Sequence, residues 1–167
     1  MTIAMLFCDY FSQSIQSGGI TMKFPTKYTL ALQILSICYL YNNEKITSGF
    51  IAKHTGADAS IIRYTMLDLK KRNLIYSKPG PGGTTLNCDL SKISLYDVYE
   101  LVSEPTETTL KYYDFPETAT AIDKEIKKAT ELIFDNIKDQ VFTVMKNTCV
   151  LEICGSLQIK GSIPKFV

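Results

Sequence analysis

A single glycine limits this chain's options more than any other residue. A short helical pattern through Phe50, Ile51 and Ala52 stops at Gly56, whose missing Cβ suits the left-handed backbone that ends a helix. Only Ala57 separates Gly56 from Asp58, a residue suited to capping the next helix, and Thr47 is placed to cap the first. The helix after Asp58 turns Ile62, Met66 and Leu69 inward and Ser60, Arg63, Tyr64 and Lys71 outward. Two short helices meeting at so tight a glycine turn predict a helix-turn-helix.

The flanking segments extend that unit. Upstream, Leu30, Ala31, Ile34, Leu35, Ile37 and Cys38 recur at steps of three and four, predicting a central core helix with Thr26 as its cap. Downstream, Ile75-Tyr76 and Thr84-Thr85-Leu86 read as two strands of a hairpin closed by the turn Pro79-Gly80-Pro81-Gly82-Gly83. That turn is not a nucleotide loop, because no Gly-Lys-Ser/Thr ends it and no helix follows at once. Its small tip, with Lys78 beside it, suits a wing approaching a phosphate strand, although an ordinary surface hairpin has the same sequence. Ser94 to Asp97 reads as a capping box opening a helix through Val98, Leu101 and Val102.

Beyond it, residues 103–119 read as a linker, and from Thr120 a long helix runs to about Lys146. Its stripe is Ile122, Ile126, Ala129, Ile133, Ile137, Val141 and Val144. At ~1.5 Å per residue this helix is longer than so small a domain needs to cover its own core. The stripe therefore predicts a partner helix, most simply that of a second copy; packing onto its own domain is the competing reading. The expected fold is mainly α with a small β-hairpin: a winged helix-turn-helix over 22–102, the linker, a dimerisation helix over 120–146 and a tail over 147–167. Leu157 to Ile159 in that tail has the alternation of a short strand and carries no assigned role.

Charge is divided within the chain. Residues 22–83 hold nine basic and three acidic side chains, and 84–167 hold nine and thirteen, beneath a formal net charge of +1. The basic half suits a polyanion, since lysines and arginines that neutralise phosphates release counterions. Five cysteines (Cys8, Cys38, Cys88, Cys149 and Cys154) and one histidine are too scattered for a structural zinc site. Free thiols in this number suit a reducing compartment, so a cytoplasmic location is expected. The first 22 residues lack the basic start of a secretory signal, and the uncharged run Tyr28 to Asn43 is too short to span a bilayer, so no membrane association is expected. Residues 1–21 read as a disordered extension, with Met22 a candidate initiator. No Cys-His or Ser-His-Asp set is visible, His54 reads as a helix-surface residue, and Glu104 and Glu107 sit in the linker. Catalysis is not expected.

The order of three pieces is specific: Met22-Lys23-Phe24-Pro25-Thr26-Lys27-Tyr28 through Ile51-Ala52-Lys53-His54-Thr55-Gly56, then Leu74 through Gly83, then Ile93-Ser94-Leu95-Tyr96-Asp97-Val98. Over about 80 residues the chain resembles the Rrf-two family of bacterial winged helix-turn-helix regulators, and the long helix resembles that family's dimerisation helix. The resemblance implies a homodimer on palindromic promoter DNA, a repressor in the simplest case, with the second helix of the motif in the major groove and the wing in the adjacent minor groove. It implies Ser60, Arg63 and Tyr64 as base or phosphate contacts, with Arg63 able to bond two guanine acceptors. It further implies Thr47 at a helix N-terminus facing phosphate and Gly80, Gly82 and Gly83 shaping the wing; Lys71, outward on its helix, and Lys78, beside the turn, are read as DNA contacts with them.

Two departures stand out. Pro79 occupies a position where IscR-like members usually carry an arginine, and Arg63 one where they carry an acidic residue, which resembles the cluster-free members and implies a different operator. Cluster-binding members also place three cysteines in the loop after the fourth helix, and residues 103–119 contain none. No cofactor is expected, an iron–sulfur cluster included. The signal, a small molecule or a redox change, is left open. Two alternatives remain at this point: a winged-helix protein-interaction module without DNA binding, and a regulator that senses oxidants through Cys88 or through Cys149 and Cys154.

Overall fold

The computed structural model describes residues 24–78, 82–103 and 120–156. Its elements are α1 (Thr26–Leu40), α2 (Ser48–Thr55), α3 (Ala59–Lys71), β1 (Ile75–Ser77), β2 (Thr84–Leu86), α4 (Leu95–Val102), α5 (Ala121–Asn147) and α6 (Leu151–Gly155). The described residues are mainly helical with one two-stranded hairpin, as the periodicities predict.

α1 is the hub. It buries Leu30, Ala31, Ile34, Leu35, Ile37 and Cys38 and packs against α2, α3, α4, α6 and β2. The predicted cap of α1 is corrected by one residue. Pro25 occupies the cap position with φ −53°, and its carbonyl accepts the Tyr28 and Thr29 amides, so Thr26 already lies inside the helix. Proline's fixed φ presets a helical start. The other caps are as read. Thr47 accepts the Phe50 amide, Asp58 accepts that of Ser60, and Ser94 with Asp97 forms a reciprocal capping box. Gly56 is left-handed with φ 70°.

The hairpin pairs Ile75 with Leu86, Tyr76 with Thr85 and Ser77 with Thr84. It is fixed to the helices by the Thr84 amide, which donates to the Ile46 carbonyl at 2.8 Å in the loop between α1 and α2. Aromatic rings tie α1 to the C-terminal half: Tyr28 and Tyr99 meet edge-on at 5.5 Å, and Phe142 of α5 lies 5.4 Å from Tyr99. The Tyr28 hydroxyl donates to the Leu95 carbonyl at 3.1 Å, and burial beside Tyr99 pushes its pKa up to about 12.

α5 runs 27 residues and opens on a second capping box, Thr120 with Asp123. At ~1.5 Å per residue it is roughly 40 Å long. Only its last turns dock on the core, through Val141, Phe142 and Met145. The chain then folds back. Val150 donates to the Ile93 carbonyl at 2.9 Å, Ser94 bridges to Cys149, and α6 buries Cys154. Val150 and Cys154 are thus buried, with Leu151 and Ile153 packed against the core. Residues 1–21, nearly all of the 103–119 linker, and the strand read at Leu157 to Ile159 lie outside the described residues.

Candidate nucleic-acid interface

α3 owes its position to the glycine turn. Ile62, Thr65, Met66 and Leu69 are buried against α1, α2 and α4, which forces the opposite face into solvent. Ser60, Arg63, Tyr64 and Lys71 are all exposed there, as predicted, and Tyr64 keeps 68% of its surface open. The sequence reading missed two residues on this side: Ile61 and Leu67 are 47% and 50% exposed. Helical phase was the available signal, since Leu67 follows Ser60 by seven residues and Tyr64 by three.

Two of the predicted contacts have work inside the chain. The Ser60 hydroxyl donates to the Asp58 carboxylate that caps α3. That hydroxyl, with the Ser60 and Ile61 amides and the Arg63 charge, holds the Asp58 carboxyl below its usual pKa. Lys71 sits 2.9 Å from Asp68, which Lys27 reaches from α1 at 2.6 Å. Burial favours the neutral Asp68 carboxyl, but the hydrogen bonds and charges of both lysines outweigh it and its pKa is lowered. Thr47 is exposed at the start of α2, its oxygen accepting the Phe50 amide at 3.1 Å. His54 is a surface residue, its ring 4.4 Å from that of Phe50 and 4.9 Å from that of Tyr41.

In the wing, Lys78 is exposed and its amide donates to the Gly83 carbonyl at 3.1 Å. Gly82 and Gly83 are required by close packing: a Cβ on Gly82 would fall 2.4 Å from the Lys78 Cβ, and one on Gly83 3.0 Å from the Ile46 amide nitrogen. Gly80, with Pro79 and Pro81, lies outside the described residues.

On α5 the predicted stripe is largely open. Ile122, Ile126, Ile133, Ile137 and Val144 are between 43% and 71% exposed, and Ala129 is exposed with them. Val141 departs from the stripe's expected role, because it packs partly against the chain's own core where α5 docks.

A helix-turn-helix with its second helix exposed, followed by a hairpin at its flank, defines a winged helix-turn-helix protein. The profile of the Rrf2 (Rrf-two) family, described as iron-dependent transcriptional regulators, matches residues 24–155. The chain belongs to that family, and it is a DNA-binding transcription regulator. It is 26% identical over 113 residues to a protein named as an HTH-type transcriptional regulator, YwnA of Bacillus subtilis strain 168, covering 68% of this chain and 83% of that one. Its fold is similar to that of T. potens IscR, with a TM-score of 0.61 and 17% identity over 84% of this chain and 92% of the other. It is also similar to the oxidized form of Staphylococcus aureus CymR, with a TM-score of 0.62 and 20% identity over 82% and 99%.

The family description raises iron, and the donors among the described residues do not fit it. Residues 103–119 have no cysteine, and among the described residues no three His, Cys, Asp or Glu side chains gather as a ligand set. Cys38 and Cys154 are buried, and burial raises both thiols, opposing the thiolate a cluster would need. Among the described residues no helix is long and apolar enough to cross a membrane.

Proposed function

We propose that this regulator acts in the cytoplasm as a homodimeric repressor, binding palindromic promoter DNA with α3 of each subunit in a major groove and each wing at the neighbouring minor groove. The observation that carries the reading is the outward face of α3, which presents Arg63 and Tyr64 clear of the core while the glycine turn and the buried face fix the helix rigidly. Arg63 reads guanine, Ser60 and Tyr64 contact base or phosphate, and Thr47, Lys71 and Lys78 hold the backbone. Gly80, Gly82 and Gly83 keep the wing tip small. The exposed stripe on α5 joins the two subunits and sets the spacing of the half-sites. The signal is a small molecule or redox change, and the protein regulates rather than catalyses.

The experiment is selection of bound duplexes from a random-sequence pool with the full chain, followed by titration of the recovered operator. Recovered sites with two-fold symmetry support the reading, as does Arg63→Ala weakening operator binding by about 1–3 kcal/mol. Unchanged binding by Arg63→Ala would overturn the assignment of the reading helix. Recovery of no enriched sequence would favour a protein-interaction module instead.

A further inference from the structure

The outward side of α3 is more apolar than reading hydrogen-bonding groups requires. Ile61 and Leu67 are each about half exposed, and with Tyr64 they border a cleft of about 520 Å³ beside the start of α1. A scattered exposed aliphatic residue needs no explanation. Here two of them stand on either side of Tyr64 on one short helix, and the edge of their cleft is basic.

Charge identifies the occupant. Among the described residues lining the cleft the one carboxylate is that of Asp68, engaged by both Lys27 and Lys71 at 2.6 and 2.9 Å. The sequence segment 22–83, to which these residues belong, carries nine basic side chains against three acidic ones. Exposed aliphatic side chains beside Lys27 and Lys71 suit a polyanion that itself displays apolar groups. In the DNA major groove there is one such group, the C5-methyl of thymine; every other position on the base edges is a hydrogen-bond donor or acceptor or a bare ring C–H. An aliphatic side chain pressed on a guanine or cytosine edge would strip water from polar atoms without replacing it.

We infer that Ile61 and Leu67 are specificity-determining residues that read thymine through its methyl group, so that the operator half-site places thymines on both sides of the base pair facing Arg63 and Tyr64. This rests on the docking of α3 in the major groove argued above.

The test uses duplexes recovered from the random pool by the full chain, resynthesised with deoxyuridine at one thymidine at a time, which deletes only the methyl group. Loss of a buried methyl is expected to weaken binding about fourfold at each contacted position. Leu67→Ala and Ile61→Ala should each abolish the uracil penalty at one position of the half-site while still binding the uracil duplex as the wild-type chain does. Uniform affinity across all the uracil duplexes would overturn the inference while leaving α3 docking intact, since Arg63→Ala would still weaken binding. Persistence of the full penalty in both alanine variants would overturn it equally. Binding insensitive to Arg63→Ala would overturn the docking and this inference together.

Discussion

A Cβ on Gly83 would lie 3.0 Å from the amide nitrogen of Ile46, so the returning strand of the wing rests directly on the backbone between α1 and α2. The neighbouring bond from the Thr84 amide to the Ile46 carbonyl at 2.8 Å needs this closeness. Gly83→Ala must push the strands away from a buried loop residue, and is expected to destabilise the fold by about 1–2 kcal/mol. Urea unfolding followed by circular dichroism reads this as a lower midpoint with an unchanged slope. An unaltered midpoint would mean that the hairpin is free of the helices.

Asp68 joins α1 to α3 through Lys27, and the pair is more sheltered than most surface ion pairs, with side chains 34% and 19% exposed. Because its folded pKa is lowered, the ionised carboxylate stabilises the fold above the unfolded value near 3.9, and this contribution fades as pH falls through the lower folded value. Asp68→Asn should therefore lose about 1 kcal/mol at pH 7. The gap between variant and wild type should close progressively in unfolding curves taken below about pH 4. A gap independent of pH would assign the loss to packing instead of charge.

Much of the fold was legible because its signals are local. Thr47, Gly56 and Asp58 act within a turn of their own positions, and so do Ser94 with Asp97. The stripe on α5 was legible for a related reason: helical phase is a property of one segment. What escaped depends on contacts distant in sequence. The bridge from Ser94 to Cys149 and the packing of α6 on α1 join segments more than fifty residues apart, and no periodicity announces them. In the candidate site, Ile61 and Leu67 were overlooked because aliphatic residues on an amphipathic helix read as core, although their phase with Ser60 and Tyr64 sets them apart from the buried Ile62 and Leu69. Thr26 misled because a threonine near a helix start normally caps it, whereas Pro25 ends the irregular segment one residue earlier.

The thiols divide by environment. Burial, with a smaller contribution from Cys88, pushes Cys38 up to about 12, and burial also raises Cys88 and Cys154. At pH 7 a thiol of pKa 12 is ionised to only about one part in 10⁵. Iodoacetamide labelling followed by mass spectrometry should therefore modify the partly exposed Cys149 well before Cys38 and Cys154 in the folded chain. Operator affinity unchanged by peroxide would argue against redox control and leave a small molecule as the signal. Rapid labelling of Cys38, or loss of affinity on peroxide treatment, would instead favour thiol-based control.

The stripe on α5 sets the last prediction. Ile126 is 53% exposed and Ile133 62% exposed, so neither supports its own subunit's core, and replacing them should leave each subunit folded. In a dimer built on this helix both become buried against the partner. Glutamates there would lose hydration without gaining a partner. The double variant Ile126→Glu, Ile133→Glu should raise the dimer dissociation constant by about a hundredfold or more while the circular dichroism of the helices persists. Sedimentation velocity over a concentration series distinguishes the two states. In such a dimer the two recognition helices are linked through α5, so the monomer should also bind a full palindrome little better than a half-site. A dimer surviving both substitutions would place the subunit contact elsewhere on the chain.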